Sequence, residues 1–231
     1  MLIFILIASA SLPYLLFPDQ YIMAAHSSSS SSSLKHRTKG DDTIQICCSW
    51  GKEIDDGILT YRIDDDANPQ VIQAVHQAVD EWNSKVPNIQ LQEVTDSNTP
   101  ADIDIMTKSR APKVSHAVSI GGPKIPDGKN IKLVQPGESN ISFDPRGSIA
   151  HVDITIATTA VGNSIGTSEL ESIAKHEIGH AYGIGHTNFI GDLMSPVLTG
   201  RSNTDISQCD INGIEEANSS PHAPSLQFLR C

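Results

Sequence analysis

The residues best suited to chemistry lie in the segment His176-Glu177-Ile178-Gly179-His180-Ala181-Tyr182-Gly183-Ile184-Gly185-His186, spaced as H-E-x-x-H-x-x-G-x-x-H. On a helix, His176 and His180 project from one face and can bind a single metal ion. Glu177 stands one step round from His176, close enough to reach a water on that metal without being a ligand itself. Gly183 can end the helix in a left-handed conformation that a side chain resists. The chain then turns back, and His186 supplies a third nitrogen. Three neutral imidazoles with one open position describe a catalytic zinc site rather than a closed structural one. A polar helix with incidental histidines would account for H-E-x-x-H alone, but not for the added Gly and third His at their offsets.

The chain continues Thr187-Asn188-Phe189-Ile190-Gly191-Asp192-Leu193-Met194-Ser195-Pro196. With this stretch it resembles the metzincin metalloproteases, whose long zinc motif is followed by a turn carrying a methionine beneath the metal. Within them it is most similar to the matrixin catalytic domain. The likeness lies in the His186-to-Met194 spacing, in the small hydroxyl residue Thr187, and in Leu-Met-x-Pro. Astacins would carry Glu at position 187 and adamalysins Asp. The resemblance implies an α+β, zincin-like fold: a twisted mixed β-sheet with a long helix, the zinc-binding active-site helix, a Met-turn and a C-terminal helix. It implies catalytic Zn2+ on His176, His180 and His186, Glu177 as general base, and Met194 as a hydrophobic floor that binds no metal. Matrixins usually have Tyr after the Met where this chain has Ser195, which removes any argument for a tyrosine at the oxyanion. Pro196, Val197 and Leu198 suggest an apolar wall beside the scissile bond, hence a hydrophobic residue just after the cut.

Elements that would position these groups can be read upstream and downstream. Leu59 to Ile63 has the β-branched, alternating character of a strand. Asn68 and Pro69 start a helix in which Val71, Val75, Ala78 and Trp82 recur at helical spacing, flanked by Ile72 and Val79; Pro87 closes it. Ile89 to Val94 and Ala101 to Met106 alternate as half-buried strands do, and Val152, Ile154 and Ile156 share one face of a strand over Ser148 to Ile156. Ser168 and Glu171 have capping-box spacing at the start of the zinc helix, and Leu170, Ile173, Ala174, Ile178 and Ala181 form its apolar stripe. Ser207 to Glu216 reads as a short helix with Ile211 and Ile214 inward and acidic residues outward. Ser219 to Pro224 looks like an irregular tail. The resemblance spans roughly Leu59 to Asn218, with only the zinc motif and Met-turn specific.

Residues 1–25 read as a signal peptide, cleaved after Ala10 or Ala25, or as an N-terminal anchor holding the domain outside. The apolar run is interrupted by Pro13, whereas a membrane span needs about 20 apolar residues. Residues 26–45, with serines from Ser27 to Ser33, read as a linker, and 46–231 as one metallopeptidase domain. With 16 basic and 27 acidic residues, the formal net charge of −11 argues against nucleic acid as a partner. Asp64, Asp65 and Asp66 suit a solvated acidic turn better than a Ca2+ site; structural Ca2+ is implied only by the matrixin resemblance.

Four cysteines suit an exported protein with disulfides. Because neighbours such as Cys47 and Cys48 seldom bond each other, bridges from them to Cys209 and Cys231 are expected. The alternative is a Cys209–Cys231 loop with two free thiols. Blockade of the zinc by Cys47 or Cys48 is disfavoured, since the matrixin switch Pro-Arg-Cys-Gly is absent. His76 is expected to face solvent. His116 and His151 faintly resemble the structural zinc ligands of some matrixins, but the upstream His-x-Asp is missing, so edge-strand or surface positions are expected. The function these readings imply is a secreted, monomeric zinc-dependent endopeptidase acting on protein or peptide substrates. Two rivals are a catalytically inactive secreted zinc-binding or interaction protein, which would have no need of Glu177, and a hydrolase of non-peptide amides or esters.

Overall fold

A computed structural model describes residues 21–23, 42–111, 135–160, 162–189, 191–199, 204–219 and 227–231. In chain order the elements are β1 (Tyr21–Met23), β2 (Thr43–Ile46), β3 (Ile58–Ile63), α1 (Pro69–Lys85), β4 (Gln90–Glu93), β5 (Ile103–Lys108), β6 (Gly137–Phe143) and β7 (Ile149–Ala157). These are followed by β8 (Thr159–Ala160), β9 (Asn163–Ser164), α2 (Thr167–Ala181), β10 (Ile184–Thr187), β11 (Val197–Thr199), α3 (Gln208–Ala217) and β12 (Gln227–Arg230).

Strict alternation builds the main sheet. Leu59, Tyr61 and Ile63 of β3, Ile103 and Ile105 of β5, and Val152, Ile154 and Ile156 of β7 are all buried, while the residues between them face outward. The sheet runs β4-β3-β5-β7-β6. Its first four strands are parallel, and β6 closes it as an antiparallel edge strand. This mixed sheet with its helices is the α+β architecture implied by the sequence.

Helix α1 starts where Asn68 caps it, its side chain accepting the Gln70 N–H at 2.9 Å, with Pro69 at the first helical position. Val71, Val75, Ala78, Val79 and Trp82 are buried. Valine is a poor helix former, so burial holds this helix; fully burying one aliphatic side chain contributes about 1.5–3 kcal/mol. Helix α2 packs against α1, β6 and β7. The indole N–H of Trp82 donates to the Lys175 carbonyl at 3.0 Å, and the buried Lys175 ammonium lies 2.8 Å from Glu81 and 3.2 Å from Glu171. These contacts fix the register of α2 against α1.

The start of α2 differs from the Ser168–Glu171 pairing. The helix begins at Thr167, and the Gly166 backbone N–H donates to the Glu169 carboxylate at 3.0 Å. Ser168 lies inside the first turn, where its carbonyl accepts the Ser172 hydroxyl. In α3, Ser207 caps the helix, Ile214 is buried and Ile211 partly so, but Asp210 is also buried, against the expectation of outward acids. Its carboxylate turns back to the Ser207 N–H at 2.8 Å as the return half of a capping box.

A second, three-stranded sheet has the order β10-β2-β12. Strand β2 takes in Thr43, Ile44 and Gln45, so the folded unit reaches into the stretch read as linker. The disulfides are Cys47–Cys48 and Cys209–Cys231. This corrects the expected cross-links. Strand β2 carries Cys47 and Cys48 to Gly183, whose carbonyl accepts both N–H groups at 3.0 and 3.4 Å. Cys231, at the end of β12, instead meets Cys209 at the start of α3, and no free cysteine remains among the described residues. Among those residues, no helix is long and apolar enough to cross a membrane.

Candidate metal centre

Helix α2 ends where the site begins. His176 and His180 lie one turn apart on its buried face, with ring centroids 4.7 Å apart. Gly183 follows at φ +96°, and its missing side chain leaves room for the Cys48 carbonyl. The chain reverses into β10 and brings the His186 ring to 5.4 Å from His176 and 4.9 Å from His180. One ligand-type nitrogen from each of the three lies within 4.8 Å of the others.

Backbone carbonyls orient two of these rings. His176 Nδ1 lies 2.7 Å from the Leu193 carbonyl and His180 Nδ1 lies 2.9 Å from that of Ile184. A carbonyl only accepts, so Nδ1 carries the proton in each ring, and the neutral ring presents Nε2 as a lone pair. His176 Nε2 is buried without a hydrogen-bond partner among the described residues, and burial holds the His176 pKa down to about 4. Neutral imidazoles with inward lone pairs suit a zinc ion, and carbonyl-anchored Nδ1–H groups are the outer support such ligands ordinarily have.

Glu177 is buried beside them. Burial, opposed by a hydrogen bond from Ser139, pushes its carboxyl up to about 8. Its Oε2 accepts the Ser139 hydroxyl at 2.6 Å, and its Oε1 has no hydrogen-bond partner among the described residues. A bound dication would favour the carboxylate and draw this value down.

The turn after β10 closes the floor. Met194 is fully buried, and its sulfur would lie 2.5 Å from a Cβ added at Gly179. The Thr187 N–H donates to the Met194 carbonyl at 2.9 Å, and the Met194 N–H donates to Asp192 Oδ1 at 3.0 Å. Ser195 is buried and Pro196 half-buried, while Val197 and Leu198 run in β11, whose backbone pairs antiparallel with β1.

The other candidates lie apart from this site. His76 is exposed and 3.1 Å from Glu93. Asp64, Asp65 and Asp66 form an exposed turn. His151 is on β7, an interior strand rather than an edge, on the open face of the main sheet. Its Nε2 is 3.6 Å from Asp104 and 3.4 Å from Asp153, a second group of metal-type ligands. Arg62 lies 2.8 Å from Asp104 and already supplies a countercharge there. His116 lies outside the described residues.

Sequence reasoning missed Gly137, Ser139, Gly179, Asp192 and Asp210. Only Gly179 carried a local signal, being the small residue between two histidines on a buried helix face.

Residues 49–218 match the peptidase family described as Matrixin. Metalloendoproteinase 1 of Glycine max is 33% identical over 149 residues, which cover 62% of this chain and 44% of that protein. Stromelysin-3 of Xenopus laevis is 39% identical over 100 residues, covering 37% and 20%. Interstitial collagenase of Equus caballus is 32% identical over 162 residues, covering 68% and 31%. The chain thus spans less than half the length of these relatives.

Proposed function

The chain belongs to the matrixin family, and from that premise we propose that it is a secreted zinc-dependent endopeptidase with His176, His180 and His186 as metal ligands and Glu177 as general base. The observation that carries the reading is the convergence of three ligand-type nitrogens within 4.8 Å, beside a buried carboxylate with one oxygen uncommitted. A zinc ion held by His176, His180 and His186 would supply Lewis acidity, polarising a carbonyl and lowering the pKa of water toward about 7. Glu177 Oε1 takes the proton of the attacking water and returns it to the departing amine. Met194 holds the helix turn bearing His176 and His180 in place.

The substrates in this reading are proteins or peptides. Edge strand β6, whose Ser139 touches Glu177, has a side unpaired among the described residues, along which an extended backbone can lie. The apolar sequence Pro196, Val197 and Leu198 after Met194 favours a hydrophobic residue just after the cut. We assign residues 1–25 to export, with retention as an N-terminal anchor the alternative, and nucleic acid is not a partner of so acidic a chain.

An assay of the chain on an unfolded protein substrate, with and without a chelator, tests the proposal. Cleavage that stops on chelation and returns with Zn2+ supports it. Zinc binding with no cleavage would favour the inactive binding protein instead.

A further inference from the structure

Glu177 is held by β6 as well as by its own helix. The Ser139 hydroxyl lies 2.6 Å from Glu177 Oε2 and 3.2 Å from the Glu177 backbone carbonyl. It has one proton to give, and the shorter contact has the length of a hydroxyl bonded to a carboxylate. Both side chains are buried, Ser139 at 5% exposure and Glu177 at 1%, so water does not compete for this bond. Two residues earlier on the same strand, a Cβ added at Gly137 would collide with Glu177 Oε1. Gly137 and Ser139 therefore bracket the carboxylate, one by its lack of a side chain and the other by its hydroxyl. Among the described residues, Glu177 Oε1 is left with no hydrogen-bond partner.

We propose that Ser139 is a positioning residue for the general base: it pins Glu177 Oε2 and so aims Oε1 at the proton to be moved. The inference rests on the peptidase reading above and adds a residue outside the zinc motif. A carboxylate turns about its last side-chain bond at little cost. Among the described residues, Ser139 alone donates a side-chain hydrogen bond to this carboxylate.

The test uses the full chain with Ser139→Ala, Ser139→Thr and Glu177→Ala, measured by steady-state peptide hydrolysis and by zinc affinity from chelator competition. A hydrogen bond to a charged group is worth a fall in kcat of about 10- to 100-fold when lost. Ser139→Ala is expected to show that fall with KM and zinc affinity within about threefold of the parent. Ser139→Thr, which keeps the hydroxyl, is expected to restore most of kcat. A purely structural tie between β6 and α2 would move KM, zinc affinity or folding together with kcat, and that result overturns the proposal. So does Ser139→Ala with the parent's kcat while Glu177→Ala is dead, an outcome that leaves the general-base reading standing. If Glu177→Ala cleaves like the parent, or the parent cleaves nothing, both readings fall.

Discussion

The Leu193 carbonyl accepts the Nδ1–H of His176 at 2.7 Å. A residue of the turn that carries Met194 thus sets the tautomer of a candidate ligand on α2 through its backbone carbonyl. The same turn is tied from the other side by Asp192, whose carboxylate accepts the Met194 N–H.

Gly179 and Met194 should be coupled. A Cβ at Gly179 would meet the Met194 sulfur at 2.5 Å and its methyl at 3.0 Å. Gly179→Ala is expected to destabilise by about 1–3 kcal/mol through overpacking. Met194→Ala is expected to cost about 2–5 kcal/mol through the cavity it leaves. Denaturant unfolding of the double variant should give less than the sum, because each change relieves the other. Additive losses would mean that the two do not share one packing site.

Asp192 and Asp210 should make stability pH-dependent. Among the described residues no donor meets the buried Asp210 Oδ1, and the Asp192 carboxyl is its neighbour, so a bond between the two needs a proton. Burial first, and then the Asp192 charge, push the Asp210 carboxyl up from 3.8 to about 7. A raised carboxyl pKa means that the folded state keeps a proton the unfolded chain releases. Its contribution is whole below 3.8 and is lost as pH rises through about 7. In metal-free protein Glu177 acts in the same sense up to about 8, and His176 in the opposite sense between 6.5 and about 4. The pair is therefore isolated by the difference in Tm between Asp192→Asn and the parent. Asparagine keeps the acceptor for Met194 and presents an amide N–H to Asp210. That difference should rise in favour of the variant from pH 4 to pH 7; a flat difference would exclude the shared proton.

The Cys209–Cys231 bond closes β12 onto α3 with a sequence separation of 22 residues. Replacing both cysteines by serine should cost about 3 kcal/mol through the freed unfolded chain. Equilibrium unfolding by urea measures it, and a loss below about 0.5 kcal/mol would show that β12 contributes little to the folded state.

The ligand spacing was legible because it is local: a helix turn puts His176 and His180 together, and one glycine brings back His186. Helix α1 and strands β3, β5 and β7 were legible because each buries one face, leaving a periodic apolar mark. Strand β6 left none. As an edge strand it sets Gly137 and Ser139 against a carboxylate rather than against an apolar core, so its sequence, Gly-Glu-Ser-Asn-Ile-Ser-Phe, does not alternate. Strands β2 and β12 are four residues each and pair across the length of the chain, Ile44 with Leu229. Such pairing, like the choice of disulfide partners, depends on where distant segments meet. Asp210 reads outward in the helical pattern because an acid on a short helix ordinarily faces solvent; its burial goes with its return bond to the Ser207 cap, which that pattern does not contain.

The most direct test of the central claim is hydrolysis of an unfolded protein by the parent chain and by Glu177→Ala, with bound zinc measured in both. The account predicts equal zinc in the two proteins, cleavage by the parent, and a loss of at least about 100-fold in the variant, the scale of a general base. Cleavage by Glu177→Ala at the parent's rate with equal zinc would contradict it.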